Sequence, residues 1–158
     1  MEFSLAELRE TGKKDLGASS WMEIDQKRID GFAEATEDRQ WIHVDVERAR
    51  ESEFGTTIAH GYLLVSIVPK LFTEMFSVPE PKMLVNYGLD KIRFIQPVTS
   101  GSVVRLQCRI VSVSERGGSL LMRVRGELVL RKEDGSAGRK CVLLDTLFMV
   151  VPPDDSQA

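Results

Sequence analysis

Only two histidines occur in the 158-residue sequence, His43 and His60, and both lie in a short window that begins at Asp38. Histidine is the side chain best suited to proton transfer near neutral pH, so this clustering points to acid–base chemistry. A carboxylate can assist an imidazole in such chemistry, and Asp38 lies five residues before His43. The sequence therefore offers Asp38 and His43 as a candidate acid–base pair.

The spacing of Asp38 and His43 sets a condition on the backbone between them. On a continuous α-helix the two side chains would diverge by roughly 140°, because each residue turns the chain by about 100°. They can converge only if residues 39–42 form a turn or an irregular loop. The spacing alone leaves two alternatives open: Asp38 as a helix cap or turn residue, and His43 as a hydrogen-bonded structural histidine.

Two helices are predicted, one on either side of this window. Asp25 is typical of an N-cap, and the helix that follows it is expected to end near residues 36–38, where capping and turn residues cluster. A second helix is predicted from Gly61 to Phe76, and its apolar residues on nearly every side indicate a helix enclosed by other structure. Pro69 should kink this helix or split its hydrogen-bond ladder. The run is shorter than the roughly 20 residues that a bilayer requires and it contains charged residues, so it is not a membrane span.

The C-terminal half of the sequence changes to the period of two that is typical of strands. Apolar and polar residues alternate over 104–110 and 120–131, and a further strand is predicted over 86–95. Residues 141–151 are apolar on both faces, which indicates a central strand or one covered by a partner. One enclosed helix and a run of antiparallel strands favour an α+β fold with a curved sheet wrapped around the central helix. An α+β sandwich with two helices on one face is the alternative.

Composition excludes several classes of function. A net charge of −3 and a pI near 5.5 give no basic footprint for nucleic acid. The two cysteines have no C-x-x-C spacing, so neither a disulfide nor a cysteine metal site is expected. The first eight residues have neither a basic segment nor a long apolar one, so no secretion signal is expected. We therefore expect one domain over residues 1–158, located in the cytoplasm, with no nucleic-acid or membrane partner.

Two segments resemble the MaoC-like, (R)-specific enoyl-CoA hydratase family, whose members have the hot-dog fold. Residues 32–45 include Asp-Arg-Gln-Trp-Ile-His, where the family has Asp-x-Asn-Pro-aliphatic-His. Residues 58–61 read Ile-Ala-His-Gly, which matches the family's second motif at the start of its central helix. A looser similarity extends over residues 21–150. Gln40 and Trp41 replace the family's Asn and Pro, which resembles the subgroup that includes nodulation-protein-N-like members.

The resemblance implies an enzyme that reversibly adds water in a syn manner to trans-2-enoyl-CoA and forms (3R)-hydroxyacyl-CoA. It implies that Asp38 and His43 are catalytic and share the attacking water, and that the Gly61 backbone N–H binds the thioester oxygen. Gln40 and His60 are expected at the substrate pocket, with a buried, hydrogen-bonded structural role as the alternative for His60. No cofactor and no metal are expected. A symmetric homodimer is expected, because hot-dog proteins pair their sheets edge to edge.

Two other functions are compatible with the same resemblance. Hot-dog proteins include many acyl-CoA thioesterases, which release free thiol, whereas a hydratase leaves the thioester intact. A non-catalytic acyl-CoA-binding or accessory subunit would bind the ligand without turnover.

Overall fold

The computed structural model describes residues 1–79, 81 and 83–153. The single domain expected over residues 1–158 therefore includes residues 80, 82 and 154–158, which lie outside the described part. Six antiparallel strands form one sheet in the order β1-β4-β5-β6-β3, and β2 pairs with a separate stretch of β4. The strands are β1 (Lys14–Ala18), β2 (Met22–Ile24), β3 (Met83–Phe94), β4 (Ser102–Arg116), β5 (Ser119–Arg131) and β6 (Ala137–Val151). The helices are α1 (Leu5–Glu10), α2 (Gln26–Thr36), α3 (Trp41–Val44), α4 (Val46–Arg50), α5 (Gly61–Ser66) and α6 (Val68–Thr73).

The alternation of apolar and polar residues determines which face of the sheet packs against the helices. On β4, Val104, Leu106 and Ile110 are buried, whereas Arg105 and Arg109 alternate with them and lie on the outer face. β6 is largely buried on both faces and lies between β5 and β3. The prediction of a central strand over residues 141–151 is thus confirmed, as is the α+β class with a curved sheet around central helices.

The central helix is split in two, as the presence of Pro69 predicts. In place of one helix from Gly61 to Phe76, the chain forms α5 and α6, with a break at Ile67. Pro69 explains the break, because it has no N–H to donate to the carbonyl four residues earlier and its ring would clash with that carbonyl. One side of α5 is open, since Tyr62 is 73% exposed, so the expectation of a helix enclosed on every side is wrong for a single copy of the chain. No helix in the described ranges is long and apolar enough to cross a membrane.

Helix α2 and the segment that follows it position Asp38. The Asp25 side chain accepts a backbone hydrogen bond of 2.9 Å and caps α2 as predicted. Glu37 then takes the left-handed conformation, with φ of 62°, which ends the right-handed helix. Residues 37–40 are irregular before α3 begins. The expected turn or loop over residues 39–42 is thus present only at residues 39 and 40, since Trp41 and Ile42 already belong to α3, and this interruption of the helix is enough for Asp38 and His43 to converge.

The sequence does not predict three of the observed elements. β1 lies in a polar stretch that has no strand-like alternation, and Leu16 is the one buried residue among its five. Helices α3 and α4 lie between the two predicted helices, where no further helix is predicted, and they have only four and five residues. Elements of this length are too short to show a helical period of apolar residues.

Burial of α5 and α6 against the sheet leads to a prediction about stability. Leu64 and Val68 are 3% and 4% exposed, so Leu64→Asp or Val68→Asp would bury an unpaired carboxylate. We expect each variant to lose about 3 kcal/mol or more of unfolding free energy, or to fail to fold. Ser66→Asp, at an exposed position of α5, is the control and should unfold close to the parent temperature. Near-parental melting of both buried variants would contradict the packing described here.

Candidate active site

Asp38, His43 and His60 form one cluster, called here the Asp38–His43–His60 cluster. One ring nitrogen from each histidine and a carboxylate oxygen of Asp38 all lie within 4.8 Å of one another. The irregular segment 37–40 carries Asp38, α3 carries His43, and His60 immediately precedes α5. Three separate elements therefore bring together the two histidines and the carboxylate that the sequence singles out.

His43 is buried, and a backbone carbonyl fixes its ring. Its Nδ1 lies 2.7 Å from the carbonyl oxygen of Ile58, and the N–H of Ile58 donates to the carbonyl of Ile42 at 3.0 Å. A carbonyl oxygen can only accept, so Nδ1 carries the proton in this hydrogen bond. In the neutral ring, Nε2 is then a free lone pair that can accept a proton.

His60 is also held by a backbone carbonyl, but through its Nε2 and not through its Nδ1. Its Nε2 lies 2.9 Å from the backbone carbonyl oxygen of Asp38, so Nε2 carries the proton. Its Nδ1 is buried and has no hydrogen-bond partner among the described residues. His60 is only 2% exposed, so this nitrogen is shielded from solvent. His60 is thus both buried and hydrogen-bonded, and its free nitrogen faces the interior.

The two imidazole rings stack with their centroids 3.7 Å apart. Burial lowers the pKa of His43 from its usual value, the Ile58 carbonyl raises it, the neighbouring His60 lowers it, and the Asp38 carboxylate raises it. The net effect is a lowered pKa, so His43 is neutral near pH 7. A neutral imidazole with a free Nε2 is the form that can act as a general base.

A pocket of about 390 Å³ opens beside the cluster, within the size range of small-molecule sites. His43 and Gly61 line it together with Tyr62, Phe94 and Gln96. The Phe94 ring lies directly over Gly61, because a Cβ at Gly61 would be 2.8 Å from the ring. Phe94 is 48% exposed, and its ring packs edge to face against the Tyr62 ring with the two centroids 6.2 Å apart. A side chain at residue 61 would therefore displace the aromatic wall of the pocket.

The remaining predicted residue, Gln40, is not part of the cluster. Its backbone carbonyl accepts the N–H of His43 at 2.9 Å at the start of α3. Its side chain is exposed and makes no hydrogen bond among the described residues. Gln40 thus acts here through its backbone.

Sequence analysis missed two contributors to the site. The Ile58 carbonyl is a backbone group, so no residue type signals it. Phe94 lies in the looser part of the family resemblance, where the pattern gives no reason to connect it with Gly61. The available sequence signal for Phe94 is an aromatic residue at the end of a strand, and in the structure this residue is exposed.

The three side chains of the cluster also offer atoms that can coordinate a cation. Two imidazole nitrogens and a carboxylate oxygen suit ions such as Zn²⁺. Asp38, His43 and His60 are therefore the residues that could hold a metal. The sequence predicts a site without metal, and this stays a prediction.

The model of the MaoC like domain family matches residues 8–129, a range that includes the whole cluster. The chain belongs to this family. The resemblance inferred from the two short motifs is thereby confirmed.

Individual proteins support the same assignment for this MaoC-like chain. It is 41% identical over 139 residues to 3-hydroxyacyl-thioester dehydratase Z of Mycobacterium tuberculosis, covering 88% of this chain and 91% of the relative. It is 46% identical over 123 residues to nodulation protein N of Rhizobium leguminosarum bv. viciae, covering 77% and 76%. The R-hydratase PhaJ1 from Pseudomonas aeruginosa superposes with a TM-score of 0.69 at 20% identity, over 94% of this chain and 85% of that chain. The fold is the hot-dog fold, and the family is one of dehydratases and hydratases.

The close approach of Phe94 to Gly61 gives a second prediction. Gly61→Ala should destabilise the MaoC-like chain by about 1 kcal/mol, because the new methyl group forces the ring to move. In a Phe94→Ala background the same change should cost much less, and a double-mutant cycle of unfolding free energies measures the difference. Gly12→Ala is the control, since Gly12 lies outside β3 and its Cβ would meet nothing within 4 Å. Equal costs in both backgrounds would mean that the ring does not constrain Gly61.

Proposed function

We propose that this chain is an (R)-specific enoyl-CoA hydratase that reversibly adds water to trans-2-enoyl-CoA and forms (3R)-hydroxyacyl-CoA. The observation that carries the proposal is the convergence of Asp38, His43 and His60 within 4.8 Å beside a pocket, in a member of a dehydratase and hydratase family. The relative named 3-hydroxyacyl-thioester dehydratase Z supports a thioester substrate. The same residues would catalyse the dehydration, because the reaction is reversible.

A water molecule fits the hydrogen-bonding needs of the cluster. The Asp38 carboxylate, His43 Nε2 and His60 Nδ1 are all acceptors when the histidines are neutral with the tautomers described above. One ring nitrogen from each histidine and an Asp38 carboxylate oxygen lie within 4.8 Å of one another, and a water bound there would have two O–H groups to donate. We therefore assign the nucleophilic water to Asp38 and His43, as the family resemblance implies.

The chemical steps follow from this arrangement. The water oxygen forms a bond to C3 of the enoyl group while Asp38 or His43 accepts one of its protons. The electron pair of the C2–C3 double bond moves toward the thioester, and a proton returned to C2 completes the addition. Charge develops on the thioester oxygen during this step, so a preorganised donor lowers the barrier.

We assign that donor to the Gly61 backbone N–H, as the family resemblance implies. Gly61 is the first residue of α5, where backbone N–H groups have no partner within the helix. It lines the same pocket as His43. α5 has only six residues, so its macrodipole adds less than that of a full-length helix.

The catalytic assignment is tested by replacing the two proposed proton-transfer groups. Asp38→Asn keeps the shape and removes the charge, and His43→Gln keeps a polar group and removes proton transfer at neutral pH. Each change should lower kcat for crotonyl-CoA hydration by roughly 10²-fold or more. The fold-loss of kcat in the double variant should be much smaller than the product of the two single fold-losses, because residues that share one water act as a unit.

Three controls make this result interpretable. Glu37→Gln removes a carboxylate next to Asp38 and should leave kcat near the parent value. Circular dichroism must be unchanged in every variant, and binding of a saturated acyl-CoA should persist. Hydration by a folded Asp38→Asn protein at the parent rate would exclude Asp38 from the mechanism. Release of free thiol would favour a thioesterase, and binding without turnover by the parent would favour an accessory subunit.

We propose further that the chain functions as a symmetric homodimer joined along β3. In the described part of the chain, β3 pairs with β6 alone, so its other side carries free backbone N–H and C=O groups. Exposed apolar side chains lie along the same strand: Met83, Val85, Tyr87, Leu89 and Phe94, each between 37% and 48% exposed. A long, apolar edge strand is unstable in water unless it is covered. Antiparallel pairing with β3 of a second copy would cover it with two-fold symmetry.

Light scattering tests the dimer. The parent should have the mass of two chains at micromolar concentration. Val85→Lys and Leu89→Lys should shift it toward one chain, because both place like charges across the two-fold axis. Ser112→Lys, at an exposed position of β4, is the control and should remain dimeric. A folded parent of single-chain mass would refute the proposal.

A further inference from the structure

Gln26, the first residue of α2, contacts both backbone segments that hold His43. Its side-chain Nε2 donates to the carbonyl of His43 at 2.8 Å. Its Oε1 accepts a hydrogen bond from the hydroxyl of Thr57, which is only 1% exposed. Gln26 thus links α3 to the segment that leads into α5.

The orientation of the Gln26 amide follows from its partners. Nε2 also lies 2.8 Å from a carboxylate oxygen of Asp30. A carboxylate and a carbonyl only accept hydrogen bonds, so both require the amide nitrogen on their side. The amide oxygen must then face Thr57, whose hydroxyl donates to it. The amide cannot rotate by 180° without losing all three hydrogen bonds.

These contacts complete a closed set of hydrogen bonds around His43. Thr57 is followed by Ile58, whose carbonyl oxygen lies 2.7 Å from His43 Nδ1. Gln26 holds the backbone of His43 and the residue next to Ile58 at the same time. Together with the hydrogen bond from the Ile58 N–H to the Ile42 carbonyl, this side-chain amide holds the imidazole beside the carbonyl that fixes its tautomer.

We infer that Gln26 is a positioning residue that holds His43 as the Nδ1–H tautomer and so keeps Nε2 free to accept a proton. This inference rests on the proposed catalytic role of His43. Gln26 does not line the pocket, so it acts through His43 and Ile58. Without it, the backbone hydrogen bond between Ile58 and Ile42 still joins α3 to this segment, but the His43 end of α3 is held less firmly and the imidazole can populate both tautomers.

Two variants test the inference from opposite ends of the link. Gln26→Met keeps the length of the side chain and removes all its hydrogen bonds, and Thr57→Val removes only the hydroxyl. Each should lower kcat for crotonyl-CoA hydration by roughly 10- to 100-fold, because the base is misplaced relative to the water. KM should change little, because neither residue contacts the pocket. Lys27→Met, at the next and exposed position of α2, is the matched control and should keep the parent kcat.

A spectroscopic measurement separates positioning from a merely structural role. Long-range ¹H–¹⁵N correlations of the histidine rings should show His43 in the parent with a protonated Nδ1 and an unprotonated Nε2 at neutral pH. In Gln26→Met and Thr57→Val, the Nε2 resonance should shift toward the protonated position. Gln26→Asn, which retains an amide on a shorter chain, should restore part of the parental pattern.

The two readouts distinguish failure of this inference from failure of the proposed function. Unchanged His43 tautomer signals in folded Gln26→Met and Thr57→Val would overturn the inference, whatever the activity. A tautomer shift in these variants together with an inactive parent would support the positioning role and contradict the hydratase assignment. If Gln26→Met does not fold, Thr57→Val alone decides, because it removes one hydroxyl and no volume.

Discussion

The site depends on one buried hydrogen bond, which joins Nδ1 of His43 to the carbonyl of Ile58. The acceptor belongs to the backbone, so the ring direction is determined by where the segment at residues 57–59 lies. That segment is itself fastened to residues 98–100, since Val98 accepts from Ala59 at 2.8 Å and Thr57 accepts from Ser100 at 2.9 Å. Residues 98–100 lead into β4, an interior strand of the sheet. The orientation of the His43 ring is therefore tied to the packed sheet.

Solvation divides the cluster into two parts with different properties. The two histidine rings are buried and stacked, whereas Asp38 is exposed to solvent. Burial and the second imidazole together hold the pKa of His43 below its usual value. A neutral base beside a solvated carboxylate is suited to moving a proton from water without forming a buried ion pair.

The sequence predicts those features that depend on periodicity and capping. The alternation along β4 and β5, the N-cap at Asp25 and the disruptive effect of Pro69 all follow from local rules, and each is present in the structure. The family motifs single out Asp38, His43 and His60, which the fold brings together. The Ile58 carbonyl could not be foreseen, because a backbone acceptor has no residue type.

Other misses have a tertiary origin. Helix α3 has four residues, and it is stabilised by the contact of Ile42 with Ile58 across the chain and not by its own apolar pattern. The same reasoning applies to β1, whose position beside β4 is fixed by pairing and not by alternation in its own residues. Gln26 follows the N-cap of α2 in an exposed-looking polar run, so its contact with His43 is visible only once the elements are assembled.

Phe94 has one further consequence, because it belongs both to the pocket wall and to an edge strand of the sheet. β3 is joined to the rest of the sheet through β6, and its side chains are mostly exposed in a single chain. One wall of the pocket therefore lies at the periphery of the sheet, whereas the Asp38–His43–His60 cluster is carried by α3 and by the segments that precede α3 and α5. A substitution at Phe94 would thus change the size of the pocket without altering any side chain of the cluster.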